Sequence, residues 1–328
     1  MNFSKEQSLS MYEELVFGRA MGDKIVEYIL GGRINGAIHP SLGQEAISAG
    51  IVQAKKMTTH DIYTHCTHRQ QPLIARNVGL DPFLGELMNK RTGLQRGTSG
   101  EYHMVSLKDK HLPMQGLLGA GCPSATGFAW AKKLDGEDAV IICSCGDGAM
   151  SEGIVYESVN MAAIHHLPIV YLIENNAVAM STPLEDEAPH PDLYLRAHGF
   201  NIPGMKVDGN DVEAVTNALL GAIEMAAHGT PVIVECKTNR WTGHYVGDAQ
   251  KYRDTSWLKN KDAIDPVKLY AAKLLERGIT QEELDSIETE QKALMAEGFQ
   301  RAWEADFPTK EDCVNYDNLY SNNAGGAL

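Results

Sequence analysis

The stretch "AVIICSCGDGAMSEGIVYESVNMAAIHHLPIVYLIENN" (139–176) decides how this chain is read. It opens on an apolar run, "AVIICSC" (139–145), and turns at Gly146-Asp147-Gly148. A helical pattern follows from Ser151 to about His166, and a second apolar run, "PIVYLI" (168–173), ends in Glu174-Asn175-Asn176. Both runs are short and almost wholly apolar, as expected of parallel strands covered on both faces. Val155, Val159, Ala162 and Ala163 share one face of the helix between them. The stretch is therefore a βαβ unit with a polar turn at the end of each strand.

The same alternation extends on both sides. Upstream, a Gly-rich turn from Gly116 leads into a helix, "PSATGFAWAKKL" (123–134). Downstream, a helix at 211–228 precedes a third strand, "PVIVECKT" (231–238). Alternating strands and helices predict an α/β fold, a doubly wound, mostly parallel sheet flanked by helices. Residues 8–30 read as an amphipathic helix, and "HPSLGQEAISAGIVQAKK" (39–56) turns helical in its second half. Residues 60–115 read as irregular, with one short helix at "DPFLGELMNK" (81–90). After about residue 262 the chain is charged and helical to about 320, and "SNNAGGAL" (321–328) reads as a frayed tail. We expect one domain with a core at about 35–262 and helical extensions at both ends.

Composition narrows the function. The 328 residues carry 29 Lys+Arg against 43 Asp+Glu, a net charge of −14, which argues against nucleic acid as the main ligand. No run approaches the roughly 20 apolar residues of a membrane helix, and acidic residues interrupt every apolar stretch of the amino terminus, so no signal-peptide layout is present. The six cysteines (Cys66, Cys122, Cys143, Cys145, Cys236 and Cys313) form no CxxC pair and read as reduced, mostly buried thiols of a cytoplasmic protein. Cys143 and Cys145 are expected on opposite faces of their sheet.

In a parallel sheet, ligands bind at the carboxyl ends of the strands. Asp147 ends one strand and Asn176 the next, so the two converge if those strands are neighbours. A carboxylate and a carboxamide suit a hard cation such as Mg²⁺, which completes its octahedron with phosphate oxygens and water. Gly148, Ala149 and the following helix start offer backbone N–H groups and a positive dipole end to a diphosphate. A lone Gly-Asp-Gly also fits a turn in which Asp147 caps a helix. The second polar turn, one βαβ unit on, favours the cation. The dinucleotide fingerprint GxGxxG is absent at this turn.

Taken together, "GDGAMSEGIVYESVNMAAIHHLPIVYLIENNAVAMSTP", "HPSLGQEA" (39–46), "GLLGAGCPSATGFAWA" (116–131), "NIPGMKVDGNDVEAV" (201–215) and "RWTGHYVGDAQKYR" (240–253) resemble the alpha subunits of thiamine-diphosphate-dependent 2-oxo acid and acetoin dehydrogenases. The resemblance implies that Asp147, Asn176 and the Val178 carbonyl hold Mg²⁺. It implies that Gly146, Gly148 and Ala149 contact the diphosphate of thiamine diphosphate, and that Gly116 and Leu118 meet the aminopyrimidine. Arg69 and Met180 would also border the cofactor. His244 matches the family's active-site histidine, on a loop ordered by Arg240 with Tyr252 or Arg253, and His68 is a second catalytic candidate.

The resemblance further implies half an active site. The glutamate that assists deprotonation of the cofactor comes from a beta subunit, so an α₂β₂ heterotetramer is expected. Its substrate would be a small 2-oxo acid or acetoin-like carbonyl compound, and a lipoyl-bearing acyltransferase would accept the acyl group. Where the family has an "HRxHG"-like segment, this chain reads His68-Arg69-Gln70-Gln71-Pro72, and Gln115 stands where many members have histidine. The change removes candidate proton carriers, so a non-oxidative lyase or ligase, or a noncatalytic subunit, stays open as an alternative. His60, His65, Cys66 and His68 are close in sequence, but no second ligand group has zinc-site spacing. His103 is a candidate to line the pocket, and His165-His166 to serve a helix C-terminus.

Overall fold

The computed structural model describes residues 3–313. The tail at 321–328 and the part of the expected C-terminal extension beyond 313 lie outside the described residues. Five strands form one parallel sheet: β1 (Asp61–His65), β2 (Ala139–Gly146), β3 (Ile169–Asn175), β6 (Gly204–Asp208) and β7 (Val232–Lys237), in the order β1-β2-β3-β7-β6. The short strands β4 (Val178–Ala179) and β5 (Thr182–Pro183) pair antiparallel beyond the end of β3.

Helices cover both faces, as a sheet apolar on both sides requires. One face carries α2 (Glu45–Met57) and α8 (Val212–Ala227); α1 (Lys5–Leu30), α3 (Gln71–Val78) and α4 (Leu80–Leu87) join its core. The other carries α5 (Gly121–Asp135) and α6 (Gly153–His165) over Ile141, Cys143, Tyr171 and Ile173. The one-turn α7 (Leu184–Glu187) follows β5, and α9 (Pro266–Glu276) and α10 (Gln281–Glu304) pack on α1. Local chemistry sets the helix starts. Ser4 and Gln7 form a capping box on α1, Asp211 accepts from the N–H groups of Glu213 and Ala214 at α8, and Thr280 and Glu283 form a second capping box on α10. No helix among the described residues is long and apolar enough to cross a membrane.

Several expectations are corrected. β1, β6 and α3 lie in stretches that carry no clear periodicity. β1 and β6 are the edge strands of the sheet, and β6 is largely half-exposed. Cys143 and Cys145 sit on the same face, both in the core beneath α5 and α6, because residues two apart on a strand point the same way. The carbonyls at the end of α6 are served by the Lys133 ammonium, 2.7 Å from His165 O and 3.1 Å from His166 O. The two imidazoles do not serve them, and His165 instead stacks on Trp130. The segment after Asp147 begins as a 3₁₀ turn, Gly148–Ser151, before α6 takes over.

Candidate active site

The carboxyl ends of β1, β2, β3 and β7 open into one cleft with about 760 Å³ of space, its solvent-facing mouth included. β2 and β3 are adjacent, with Gly146 paired to Glu174. Asp147 and Asn176 therefore emerge side by side, as the strand pattern anticipates. Asp147 is 4% exposed, and its partners are backbone donors: Gly148 N at 2.9 Å and Val178 N at 3.1 Å. It does cap the 3₁₀ turn, yet the cap leaves a buried anion with no ion-pair partner among the described residues. Desolvation pushes its pKa up against the pull of the backbone bonds from Gly148 and Val178. Asn176 Oδ1 also accepts from Val178 N at 3.3 Å, and its amide donates to Gln44 Oε1 at 2.9 Å. A buried carboxylate beside amide and carbonyl oxygens, with a helix start one turn away, is a donor set that fits a hard cation and a diphosphate.

Glu174, one residue before the Asn pair, is also buried in the cleft wall, and desolvation raises its carboxyl to about 7. Thr67 Oγ1 donates to it at 2.5 Å and so ties the end of β3 to the segment that carries His68 and Arg69.

Two imidazoles, His68 and His244, line the cleft, and a third, buried His39, packs against both. His39 lies 4.6 Å, centroid to centroid, from both His68 and His244, and those two are 5.8 Å apart. Burial, then the guanidinium of Arg69, drives His68 well below the usual imidazole range and His244 down to about 4. Both are neutral at pH 7. Arg69 is itself buried and donates to Pro40 O at 3.2 Å and His244 O at 2.7 Å. The 240–253 loop is cross-braced. Asp248 accepts from His244 N at 2.7 Å and from the Tyr252 hydroxyl at 2.6 Å. Arg240 donates to Tyr252 Oη and Met180 O, and Arg253 to the carbonyls of Arg240 and Thr242.

The remaining expected residues divide. Gly146, Gly148, Ala149, Val178, Met180 and Leu118 all line the cleft, with Leu118 and Met180 exposed at its rim. Gly116 does not line it, although its neighbours Gln115 and Leu117 do. His103 is exposed next to Gly116 and is not in the cleft wall. Of the sequence cluster His60, His65, Cys66 and His68, the last three line the cleft. His60 pairs with Asp138 at 2.5 Å, away from the cleft, and His65 abuts Gly121.

His39, Glu101 and Gln71 were not singled out as site residues by the sequence. Glu101 Oε2 lies 2.9 Å from His39 Nδ1, and Gln71 Nε2 donates to both Glu101 Oε1 (2.6 Å) and His39 O (2.9 Å). Gln71, in the segment that lacks the expected histidine, thus acts as a brace for a different histidine. Glu101 is itself placed by a carboxylate at the end of α4. Buried Glu86 accepts four backbone N–H groups, from Gln95 (2.7 Å), Gly97 (3.0 Å), Ser99 (2.6 Å) and Gly100 (3.2 Å). The segment is wound so tightly that a Cβ on Gly93 would meet Glu86 and one on Gly97 would meet Asn89.

Comparison with known proteins covers almost the whole chain. The family model described as "Dehydrogenase E1 component" matches residues 13–311. The pyruvate dehydrogenase E1 component subunit alpha of Rhizobium meliloti (strain 1021) is 35% identical over 324 residues, 98% of this chain and 90% of that protein. The acetoin:2,6-dichlorophenolindophenol oxidoreductase subunits alpha of Bacillus subtilis (strain 168) and Cupriavidus necator are 35% and 36% identical, over 83% and 94% of this chain and 83% and 93% of theirs.

Proposed function

Since this chain belongs to the dehydrogenase E1 component family, we propose that it is the alpha half of an α₂β₂ enzyme that binds thiamine diphosphate and Mg²⁺ and acts on a 2-oxo acid or an acetoin-like carbonyl compound. The observation that carries this reading is the buried Asp147 carboxylate, held between β2 and β3 by backbone donors and lacking a cationic partner among the described residues. Asp147, Asn176 and the Val178 carbonyl would hold Mg²⁺. Gly146, Gly148 and Ala149 would let the diphosphate approach the backbone, with Leu118, Met180 and Arg69 bordering the rest of the cofactor. When bound, thiamine diphosphate supplies a nucleophilic carbon and an electron sink for the bond that is cleaved.

This chain's own part is positional and electrostatic. His68 and His244 face the reacting end as neutral imidazoles, able to donate or accept one hydrogen bond without adding charge. Glu101 and Gln71 fix the ring of His39 against them. The braced 240–253 loop shields the cleft from water, so polar contacts inside it strengthen. The glutamate expected to assist deprotonation of the cofactor would come from a beta subunit, and a lipoyl carrier would take the acyl product. A non-oxidative lyase or ligase is the second reading, favoured by Gln70-Gln71-Pro72 alone.

The test is native mass spectrometry of the chain isolated from its own cells with Mg²⁺ and thiamine diphosphate, followed by turnover of pyruvate and acetoin with 2,6-dichlorophenolindophenol as acceptor. A heterotetramer with two cofactors that reduces the dye supports the proposal. Products formed equally well without any acceptor would favour the second reading. A chain that takes up no cofactor in any assembly would remove both.

A further inference from the structure

Beneath the cofactor seat lies a pair of thiols that the chemistry above leaves unused. Cys122 is the second residue of α5, and its Sγ lies 3.9 Å from Sγ of Cys143 in β2. Both residues are fully buried from the outer surface. Cys122 nevertheless lines the cleft, as does Cys145, so a small oxidant has its shortest route through the cleft floor.

The two thiols are chemically unequal. Cys122 sits in the first turn of a 15-residue helix, where the dipole favours a thiolate. Cys143 donates its S–H toward Cys122. Hydrogen bonding from Cys143 holds the Cys122 thiol below its ordinary range against the opposing effect of burial, and the same bond together with burial raises Cys143; the Cys145 thiol lies 3.6 Å from Met150 Sδ. The buried His65 ring occupies the space a Cβ on Gly121 would need, one residue before Cys122. A thiol with thiolate character beside a second, resolving thiol is the arrangement of redox-responsive cysteines. Exposed Cys313 has no such neighbours among the described residues.

We propose that Cys122 and Cys143 are a modification site, joined as a disulfide by hydrogen peroxide, and that the bond disables the cofactor seat. The Cys122 thiolate attacks one peroxide oxygen and the O–O bond breaks. The departing hydroxide takes up a proton and leaves as water, and Cys122 becomes a sulfenic acid. The Cys143 sulfur then attacks Cys122 Sγ, the S–O bond breaks, and the second oxygen leaves as water with the Cys143 proton. Two thiols lose two electrons and two protons, and one peroxide becomes two waters.

Closing the sulfurs from 3.9 Å to about 2.05 Å draws α5 toward β2. Cys122 directly follows the Leu118–Gly121 wall of the cleft, and Cys143 lies four residues before Asp147. His65 blocks relaxation at Gly121. The strain therefore falls on both walls of the seat. Only this last consequence rests on the proposed function; the disulfide does not.

The experiment treats the full chain, with Cys313→Ser to remove the exposed thiol, with hydrogen peroxide. Alkylation and non-reducing peptide mass spectrometry follow. The expected result is a linked Cys122–Cys143 peptide that dithiothreitol releases, retained in Cys66→Ser and absent in Cys122→Ser. If Cys122→Ser does not fold, Cys143→Ser decides: it should accumulate a Cys122 sulfenic acid that dimedone traps. Linkage between other cysteines, or no adduct at Cys122 in either protein, overturns the proposal. Once linked, the chain should turn over about a hundredfold more slowly with its beta subunit, the scale of a misplacement of about 1 Å. A linked peptide with full turnover would refute the functional consequence. A linked peptide with unchanged peroxide sensitivity when thiamine diphosphate and Mg²⁺ are present would count against the assigned seat and leave the thiol pair standing.

Discussion

Replacing Glu86 by glutamine tests whether the cleft is held from a distance. The carboxylate takes two N–H groups on each oxygen: Gln95 and Gly97 on Oε2, Ser99 and Gly100 on Oε1. A carboxamide keeps one acceptor oxygen and turns an NH₂ group toward the other two donors. Two hydrogen bonds to a charged group are lost, at about 1.5–3 kcal/mol each. Ser99 and Gly100 are half-buried, so water recovers part of the loss, and about 2–4 kcal/mol of destabilisation remains. For a chain of this size that lowers the thermal midpoint by about 3–6 °C. Hydrogen exchange followed by mass spectrometry should show faster exchange confined to 95–104. Glu101, released from its place, should carry His39 with it, and turnover with the beta subunit should fall while cofactor affinity holds. A midpoint within about 1 °C of the parent, with unchanged exchange at 95–104, would refute the argument that one buried carboxylate organises this segment.

Asp147→Ala should abolish binding of Mg²⁺ and thiamine diphosphate by calorimetry while the circular dichroism spectrum stays that of the parent; unchanged affinity would sink the clamp. His244→Ala should slow turnover far more than it weakens cofactor binding, and an unaltered kcat would remove its role at the reacting end. The Glu174 carboxyl is raised from 4.5 to about 7 in the folded chain, so the folded state binds more protons than the unfolded one between those values, and stability falls as pH rises through that window. For the cofactor-free chain, the thermal midpoint of Glu174→Gln minus that of the parent should therefore grow between about pH 5 and pH 7 and level off above. A difference that does not change with pH would show that the carboxyl is not protonated in the fold. Tyr252→Phe, which removes the hydroxyl between Arg240 and Asp248, should increase exchange across 240–253 and raise KM; unaltered exchange would count against the bracing.

The Asp147–Asn176 end of the cleft was legible in the sequence because its information is local. Asp147 and Asn176 each follow an apolar strand directly, and the sheet period fixes where such residues emerge. The histidine end was only partly legible. His39 owes its place to Glu101, 62 residues away, and to Gln71, and no periodicity connects three polar residues on three separate segments. Gln71 reads as a missing catalytic group until its amide is seen to hold His39 and Glu101 together. β1 and β6 escaped for a different reason. Edge strands are covered less completely, so "DIYTH" mixes polar and apolar residues without a strand pattern, and "GMKVD" alternates over four residues only. The thiol pair needed the strand period applied correctly: with Cys143 and Cys145 on one face, both look toward Cys122.

Because the cleft is lined by the ends of β1, β2 and β3, by the 115–122 turn and by Arg240 and His244, the site spans the chain from His65 to His244. During synthesis the ribosome must release this whole stretch before the last wall exists. Contacts this distant in sequence form late, after their loop-closure entropy has been met. A partner that recognises the finished cleft therefore cannot dock on a growing chain, and assembly with it has to wait for a completed subunit. The amino-terminal helix meets the same schedule from the other direction, since α1 stays without its partner α10 until residues 281–304 have emerged.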